Sequence, residues 1–265
     1  MSKNTRKNGF TRTAAVALSA LALVGLVAST ASATPSTQIW IPSTDVQPYK
    51  TFHLNFDTYV RAHSNDDGSR TAPVVVIGPT VGILPFEKIQ AEVGFDVISQ
   101  GGPLDRYPLY FHGKLGTPEG SMFKHSPALA VGGYNFGTHS GDVRLGETAT
   151  NQNLVYGLAA KTLPVVGRLS AGYFAGNKKV LLDQNGLSDE KGVLLSWDRV
   201  MTEISDKLWL AVDYQGTDSA LGALSFGASW AVAKNVSVIL GYDIYNEKLT
   251  GGQNTVTLQV DINLP

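Results

Sequence analysis

Three pairs of histidine and serine offer the side chains of a nucleophilic site, in which an imidazole activates a hydroxyl. The pairs are His63-Ser64, His125-Ser126 and His139-Ser140. The two residues of each pair are adjacent, and adjacent side chains of a β-strand point to opposite faces. All three pairs also fall in or near predicted connections. We therefore interpret them as polar loop residues and predict that the protein is not an enzyme.

Metal and cofactor chemistry has as little support. The sequence has no cysteine, which excludes Cys-ligated zinc, iron–sulfur clusters and a disulfide framework. The segment 65–69 (Asn-Asp-Asp-Gly-Ser) offers oxygen ligands. It lacks the distant glutamate of a calcium loop, and ordinary turn chemistry accounts for it. There is no P-loop or dinucleotide fingerprint, and the formal net charge is −1. We expect no cofactor, no metal and no nucleic-acid partner.

The remaining charged side chains recur on the polar faces of alternating segments. Residues two apart on a strand share a face, so these charges would collect on one side of a sheet. We predict that they line the interior of a barrel and form a constriction of mixed charge. The candidates are Asp57, Lys88, Glu92, Asp96, Lys114, Arg168, Asp213 and Asp243.

Alternation of apolar and polar residues predicts the strands that would position these side chains. It is clearest near the C-terminus, where Val256, Leu258 and Val260 alternate with threonine and glutamine. In the segment 154–160 the apolar face is Leu154, Tyr156, Leu158 and Ala160, and the segment 73–84 is interrupted by Gly78-Pro79. The twelve predicted segments are 52–60, 73–84, 89–97, 107–115, 127–137, 154–160, 165–173, 193–197, 208–214, 224–232, 236–244 and 255–264.

The connections between these segments alternate in character. Short links such as 84–86 and 233–235 alternate with long polar links such as 138–152 and 177–191. An even strand number with short turns on one side predicts an all-β, transmembrane, antiparallel up-and-down β-barrel of about 12 strands. A secreted β-sandwich or a lipocalin-like barrel is the alternative. Such a fold would carry a charged outer face, whereas here the apolar face continues through all twelve segments.

The N-terminal region divides into two parts. Lys3, Arg6, Lys7 and Arg12 precede an apolar run over 14–28 and an Ala31-Ser32-Ala33 cleavage pattern. This is typical of a Sec-type signal peptide over 1–33, whose removal would leave a formal net charge of −5. Residues 34–50, the N-terminal arm, precede the barrel at 51–265. The arm carries Ile39, Trp40 and Ile41. We expect it to enter or cap the periplasmic mouth; the alternative is a disordered leader.

The whole chain after the signal peptide resembles Gram-negative outer-membrane β-barrels of the porin kind. The segments Trp197-Asp198-Arg199, 208–214, Ala220-Leu221-Gly222 and Leu240-Gly241-Tyr242 also resemble outer-membrane proteins of the phenol-degradation meta-pathway type. That resemblance implies passage of small hydrophobic or aromatic compounds. It also implies an outer-membrane location, with membrane lipid and lipopolysaccharide around the barrel and a small-molecule solute inside.

Three functions follow as hypotheses. The first is an outer-membrane channel or transporter for small solutes. The second is a plugged barrel that presents its surface loops to a partner. The third is a barrel enzyme of the outer-membrane phospholipase type, which needs a histidine and a serine two residues apart on an outward face. The adjacent His-Ser pairs disfavour this third hypothesis.

Overall fold

Twelve antiparallel strands close into a barrel in the computed structural model, which describes residues 36–65 and 67–264. Each predicted segment overlaps one of these strands, so the strand prediction is confirmed. The predicted signal peptide lies outside the described residues. The strands are β1 (Phe52–Arg61), β2 (Val74–Gly82), β3 (Gln90–Ser99), β4 (Leu109–Thr117), β5 (Ala128–Gly137), β6 (Asn151–Leu163), β7 (Gly167–Ala175), β8 (Lys191–Val200), β9 (Leu208–Gln215), β10 (Ala223–Ala233), β11 (Val236–Tyr245) and β12 (Thr255–Leu264).

The barrel closes where the first strand meets the last. Each strand pairs with its neighbours in sequence, and β1 pairs with β12 from Phe52 opposite Leu264 to Arg61 opposite Thr255. Closure leaves no sheet edge with unpaired backbone groups. The strand ends that carry Phe52 and Leu264 lie at one end of the barrel, here called the terminal end. The connections 62–73, 100–108, 138–150, 176–190, 216–222 and 246–254 lie at the opposite end.

The outer face of the barrel wall is apolar and the inner face is polar, which is the reverse of the arrangement in a water-soluble protein. On β12, Val256 and Leu258 point outward and are 40% and 43% exposed, whereas Thr257 and Gln259 point inward and are almost fully buried. The same alternation places Phe56 and Leu240 outside. Large apolar side chains therefore cover the outside of the barrel, and polar side chains fill its interior.

Strand β6 departs from this rule. Leu154, Tyr156 and Leu158, predicted as part of the continuous outer apolar face, point inward and are buried. The outward residues of this strand include Val155 and Ala159, so both faces are apolar and the alternation does not distinguish them. The inward orientation has a reason inside the barrel, where these side chains pack against Ile41 of the arm.

The interruption of β2 by Gly78-Pro79 lies in the wall of the barrel. Pairing between β2 and β3 runs from Val75 to Ile77 and resumes at Thr80. Proline has no backbone N–H to donate to a neighbouring strand. Gly78 also lets Asp96 come close: a Cβ at this glycine would lie 2.1 Å from Asp96 Oδ1. The glycine therefore allows the Asp96 carboxylate to lie against the wall.

Within residues 36–65 and 67–264, helical structure is confined to single turns in the connections. These are the 3-10 turns Pro103–Arg106 and Val143–Leu145 and the α-helical turn Lys248–Gly251. In the part of the chain that the structure describes, no helix has the length and apolar character needed to cross a membrane.

Candidate functional site

In the described part of the N-terminal arm, residues 36–50, the segment 38–47 lies inside the barrel and 48–50 are exposed. Gln38, Ile39, Ile41 and Gln47 are each at most 2% exposed. The arm doubles back on itself, because the Gln38 N–H donates to the Ile41 carbonyl (2.8 Å) and the Ser43 N–H donates to the Ser36 carbonyl (3.2 Å). This folded segment, here called the plug, occupies one side of the lumen.

The tip of the plug is held by hydrogen bonds to its main chain. Asp213 Oδ2 on β9 accepts from the backbone N–H groups of Ile39 (2.7 Å) and Trp40 (3.1 Å). Gln259 Nε2 on β12 donates to the Ile39 carbonyl (2.8 Å). The Trp40 indole N–H reaches the Leu221 carbonyl (2.8 Å), in the connection after β9. The tip therefore extends to the end of the barrel opposite the terminal end.

Apolar contacts hold the two isoleucines of the plug in separate places. Ile41 belongs to a buried cluster with Leu154, Leu158 and Phe174, and Ile39 belongs to another with Trp209. The wall leaves room for Ile39 where a β11 residue is glycine. A Cβ at Gly241 would lie 3.0 Å from Ile39 Cγ2, which is tighter than ordinary contact. The inner wall is thus shaped to fit the plug.

Charged side chains of the wall bind the plug at Asp45 and Gln38. Arg168 Nη1 contacts both carboxylate oxygens of Asp45 (2.7 and 2.6 Å), and its Nε donates to Asp198 Oδ1 (2.9 Å). Asp198 also accepts from Gln38 Nε2 (3.0 Å) and from the indole N–H of Trp209 (3.1 Å). The side chains of Arg168 and Asp198 are 18% and 8% exposed, and a largely buried charge is costly to leave unpaired, so this network favours one position of the plug.

A second ion pair holds the plug from the β3–β4 side. Lys114 Nζ lies 3.1 Å from Glu92 Oε1 and donates to the carbonyls of Ser36 (3.1 Å) and Asp45. Glu92 Oε2 accepts from the backbone N–H of Gln47 (2.7 Å). Both side chains belong to the wall, and both bind the plug main chain.

Beside the plug, a cavity of about 370 Å³ remains, lined mostly by strands β1–β5 and also by residues of β6, β9 and β11. Its lining extends along β1 from His53 to Arg61, almost the full length of that strand. Asp57, in the middle of β1, also lines it. The plug contributes Trp40 to the opposite wall. The lumen is therefore narrowed to a space with a mixed polar and apolar lining on one side of the plug.

His112 on β4 narrows this cavity and is fixed on both sides. Its Nε2 lies 2.9 Å from Thr80 Oγ1, and its Nδ1 lies 3.0 Å from Asp96 Oδ2. A neutral imidazole in this arrangement donates to one neighbour and accepts from the other. Thr80, His112 and Asp96 together form a rigid part of the cavity wall.

The predicted lumen residues divide into three groups. Asp57, Glu92, Asp96 and Lys114 line the cavity. Arg168 and Asp213 bind the plug, as described above. Asp243 is fully buried on β11 and accepts a hydrogen bond from Thr255 Oγ1 (2.6 Å).

Lys88 is placed elsewhere. It is exposed in the connection 83–89, because β3 begins only at Gln90, and it does not line the cavity. Its prediction as a lumen residue assumed a longer strand.

Several residues that shape the interior were not among the predicted candidates. His53 and Arg61 share the polar face of β1 with Asp57, so the two-residue spacing alone could have included them. Asp198 lies on the inward face of β8 and has the same signal. No pattern in the sequence indicated Asp45, because its role depends on how the arm folds inside the barrel.

The connections opposite the terminal end form another concave surface. Tyr107 and His139 stack there with ring centroids 3.8 Å apart, in the wall of a depression of about 700 Å³. The nearby Asp105 accepts hydrogen bonds from the N–H groups of Gln100 (2.6 Å) and Gly101 (3.0 Å). The bond from Gln100 is the main reason that the pKa of Asp105 lies below its ordinary value.

The three His-Ser pairs all lie in connections, outside the strands that the structure describes. His63-Ser64 falls in 62–73, His125-Ser126 in 118–127 and His139-Ser140 in 138–150. No hydrogen bond joins the two side chains within any pair. Residues 36–65 and 67–264 also contain no cluster of three or more His, Asp or Glu side chains that could hold a metal ion.

Comparison with known proteins finds solved outer-membrane barrels. An outer-membrane channel from Pseudomonas putida F1 is 12% identical with a TM-score of 0.43, covering 83% of this chain and 97% of that one. OmpF from Salmonella typhi, solved with daunomycin, is 7% identical with a TM-score of 0.42, covering 81% and 96%. Outer membrane phospholipase A from Escherichia coli is 10% identical with a TM-score of 0.44, covering 83% and 94%.

No protein-family model matches the sequence, and no curated protein matches it. The resemblance to the phenol-degradation type stays a prediction from the sequence. The closed β-barrel of this chain follows from its own strand pairing.

Proposed function

We propose that the protein is an outer-membrane channel for small solutes, with the plug setting the width of its passage. The outer surface supports the membrane location. Outward side chains such as Phe56, Leu240 and Leu258 are 40%, 60% and 43% exposed, and they belong to an apolar outer wall. In water this surface would be unfavourable, whereas in a bilayer it contacts hydrocarbon. Membrane lipid and lipopolysaccharide are therefore the surroundings we expect.

The cavity beside the plug is the observation that carries the channel function. A barrel with a purely structural role has no need for an open space along its interior. Here the cavity extends along β1 from His53 to Arg61. Its wall carries Asp57 and Asp96, and water and small polar solutes are compatible with such groups.

Conductance in planar bilayers tests this function. We expect the purified protein to show small, uniform current steps, because the plug fills part of the lumen. Deletion of residues 34–48 removes most of the plug and is expected to raise the conductance. If the full-length protein shows no current steps at any voltage tested, the channel function is overturned.

The extent of contact between plug and wall favours a second function. Asp213, Arg168, Glu92 and Lys114 all hold the plug, and such a barrel could serve to present its connections to a partner. A protein that conducts no ions, but whose connections 138–150 and 176–190 bind a cell-surface component, would support this function. A lipid-release assay addresses the phospholipase hypothesis in the same preparation.

A further inference from the structure

Two carboxylates that line the cavity, Asp57 and Asp96, form no salt bridge with a Lys or Arg of the described residues. Asp57 accepts a hydrogen bond from Asn55 Nδ2 (2.9 Å), and no Lys or Arg among the described residues forms a salt bridge with it. Asp96 pairs with His112, whose imidazole carries a charge only when it is protonated. Two carboxyl groups in the middle of the cavity therefore have no permanent counter-charge.

The two permanent cations that line the cavity are engaged elsewhere. Lys114 pairs with Glu92 and binds the plug. Arg61 lies where β1 ends, and its guanidinium donates to the carbonyls of Gly251 (2.8 Å) and Gln253 (2.5 Å). The same guanidinium lies 5.0 Å from the centroid of the Tyr245 ring. Neither cation neutralises Asp57.

The other lining groups favour an organic ligand over a bare ion. Trp40, Tyr59, Tyr134 and Tyr156 line the cavity, and aromatic faces attract both apolar bodies and cations. Gln215, 1% exposed, lines it as well. Its Oε1 accepts from the Tyr134 hydroxyl (3.2 Å), but its Nε2 has no hydrogen-bond partner among the described residues. An amide donor left in this state points to an acceptor on a bound molecule.

We propose that the cavity binds small organic cations, with the ammonium group beside Asp57 and Asp96. The apolar body would contact the aromatic side chains, and a polar atom of the ligand would accept from Gln215 Nε2. A cavity of about 370 Å³ is at the small end of ligand sites, which are roughly 300–1,000 Å³. This inference rests on the proposed function in that it names the solute class the channel would pass.

Calorimetric titration of the detergent-solubilised full-length protein tests the binding. Three phenols of nearly equal size serve as probes: tyramine is a cation, tyrosol is neutral and 4-hydroxyphenylacetate is an anion. We expect heat of binding for tyramine alone. Asp57→Asn should weaken tyramine binding about tenfold, which corresponds to roughly 1.4 kcal/mol. Asp57→Glu keeps the charge and should keep most of the affinity. Asp206→Asn, in the exposed connection after β8, is the matched control and should change nothing.

The outcomes separate this inference from the channel function. Equal binding of the three probes, or tyramine affinity that Asp57→Asn leaves unchanged in a folded barrel, overturns the inference. In bilayers under a KCl gradient, we expect a reversal potential that favours K⁺ and shifts toward zero in Asp57→Asn. A protein that conducts without any cation preference and binds no tyramine keeps the channel function and loses the inference. Tyramine binding without conductance keeps the inference about the ligand and overturns the channel function.

Discussion

Truncation of the two plug isoleucines should open the channel. Ile39 is 2% exposed and Ile41 is fully buried, and they belong to separate apolar clusters. Truncation of a buried isoleucine to alanine costs about 2–5 kcal/mol, and separate sites add approximately. At the low end, Ile39→Ala with Ile41→Ala weakens docking by about 4 kcal/mol, or roughly 10³-fold in the docking equilibrium constant. We expect the plug to leave the lumen for a measurable fraction of the time.

Single-channel recording measures this directly. The double variant should alternate between the wild-type conductance and a larger one that matches the protein lacking residues 34–48. Ile244→Ala is the matched control, because Ile244 points outward on β11 and is 37% exposed. It should leave the conductance unchanged. If the double variant lowers thermal stability yet keeps the wild-type conductance at every voltage, the plug does not limit the passage and the reasoning is wrong.

Three further predictions concern the wall, the orientation and one connection. Leu240→Arg places a charge on the outer face near the middle of β11 and should cost roughly 2–4 kcal/mol of folding stability in bilayers, measured by denaturant unfolding; no loss would argue against lipid contact there. With both chain termini in the periplasm, Ser188→Cys should react with an impermeant maleimide on whole cells and Lys234→Cys should not; the opposite labelling would mean an inverted barrel. Because the folded-state pKa of Asp105 is lowered, first by the Gln100 N–H, its stabilising contribution is present above the ordinary aspartate pKa. That contribution is lost only as the pH falls through the lowered value, so the hydrogen-exchange protection factor of the Gln100 amide should drop there in the wild type and show no such step in Asp105→Asn.

The barrel could be predicted from the sequence because its cause is local. A strand with one face toward an apolar exterior and one toward a polar interior must alternate apolar and polar residues, as the segment 256–264 does. This pattern can be recognised without knowledge of distant residues. The same logic placed Asp57, Asp96 and Asp213 inside. It was wrong for β6, where both faces are apolar, and for Lys88, where alternation continued past the end of the strand.

The arrangement inside the barrel could be predicted only in outline. The apolar residues of the arm indicated that it would not remain free, but its position depends on pairs such as Arg168 with Asp45 and Asp213 with the Ile39 N–H. The residues of these pairs are separated by 123 and 174 positions. No local pattern encodes which of the inward charges meets the plug and which remains beside the cavity. The division of the lumen therefore became visible only in three dimensions.

The plug also has a consequence for how the protein is assembled. Its anchors lie far along the chain, since Gln38 and Asp198 are 160 residues apart and Ile39 and Gln259 are 220 apart. Contacts between such distant residues form late, after shorter-range pairings have reduced the entropy of the chain. The seam between β1 and β12 and the docking of the plug both wait for the last strand to be made. A newly inserted molecule is therefore expected to pass through a short-lived, leakier stage, which its own N-terminal residues bring to an end.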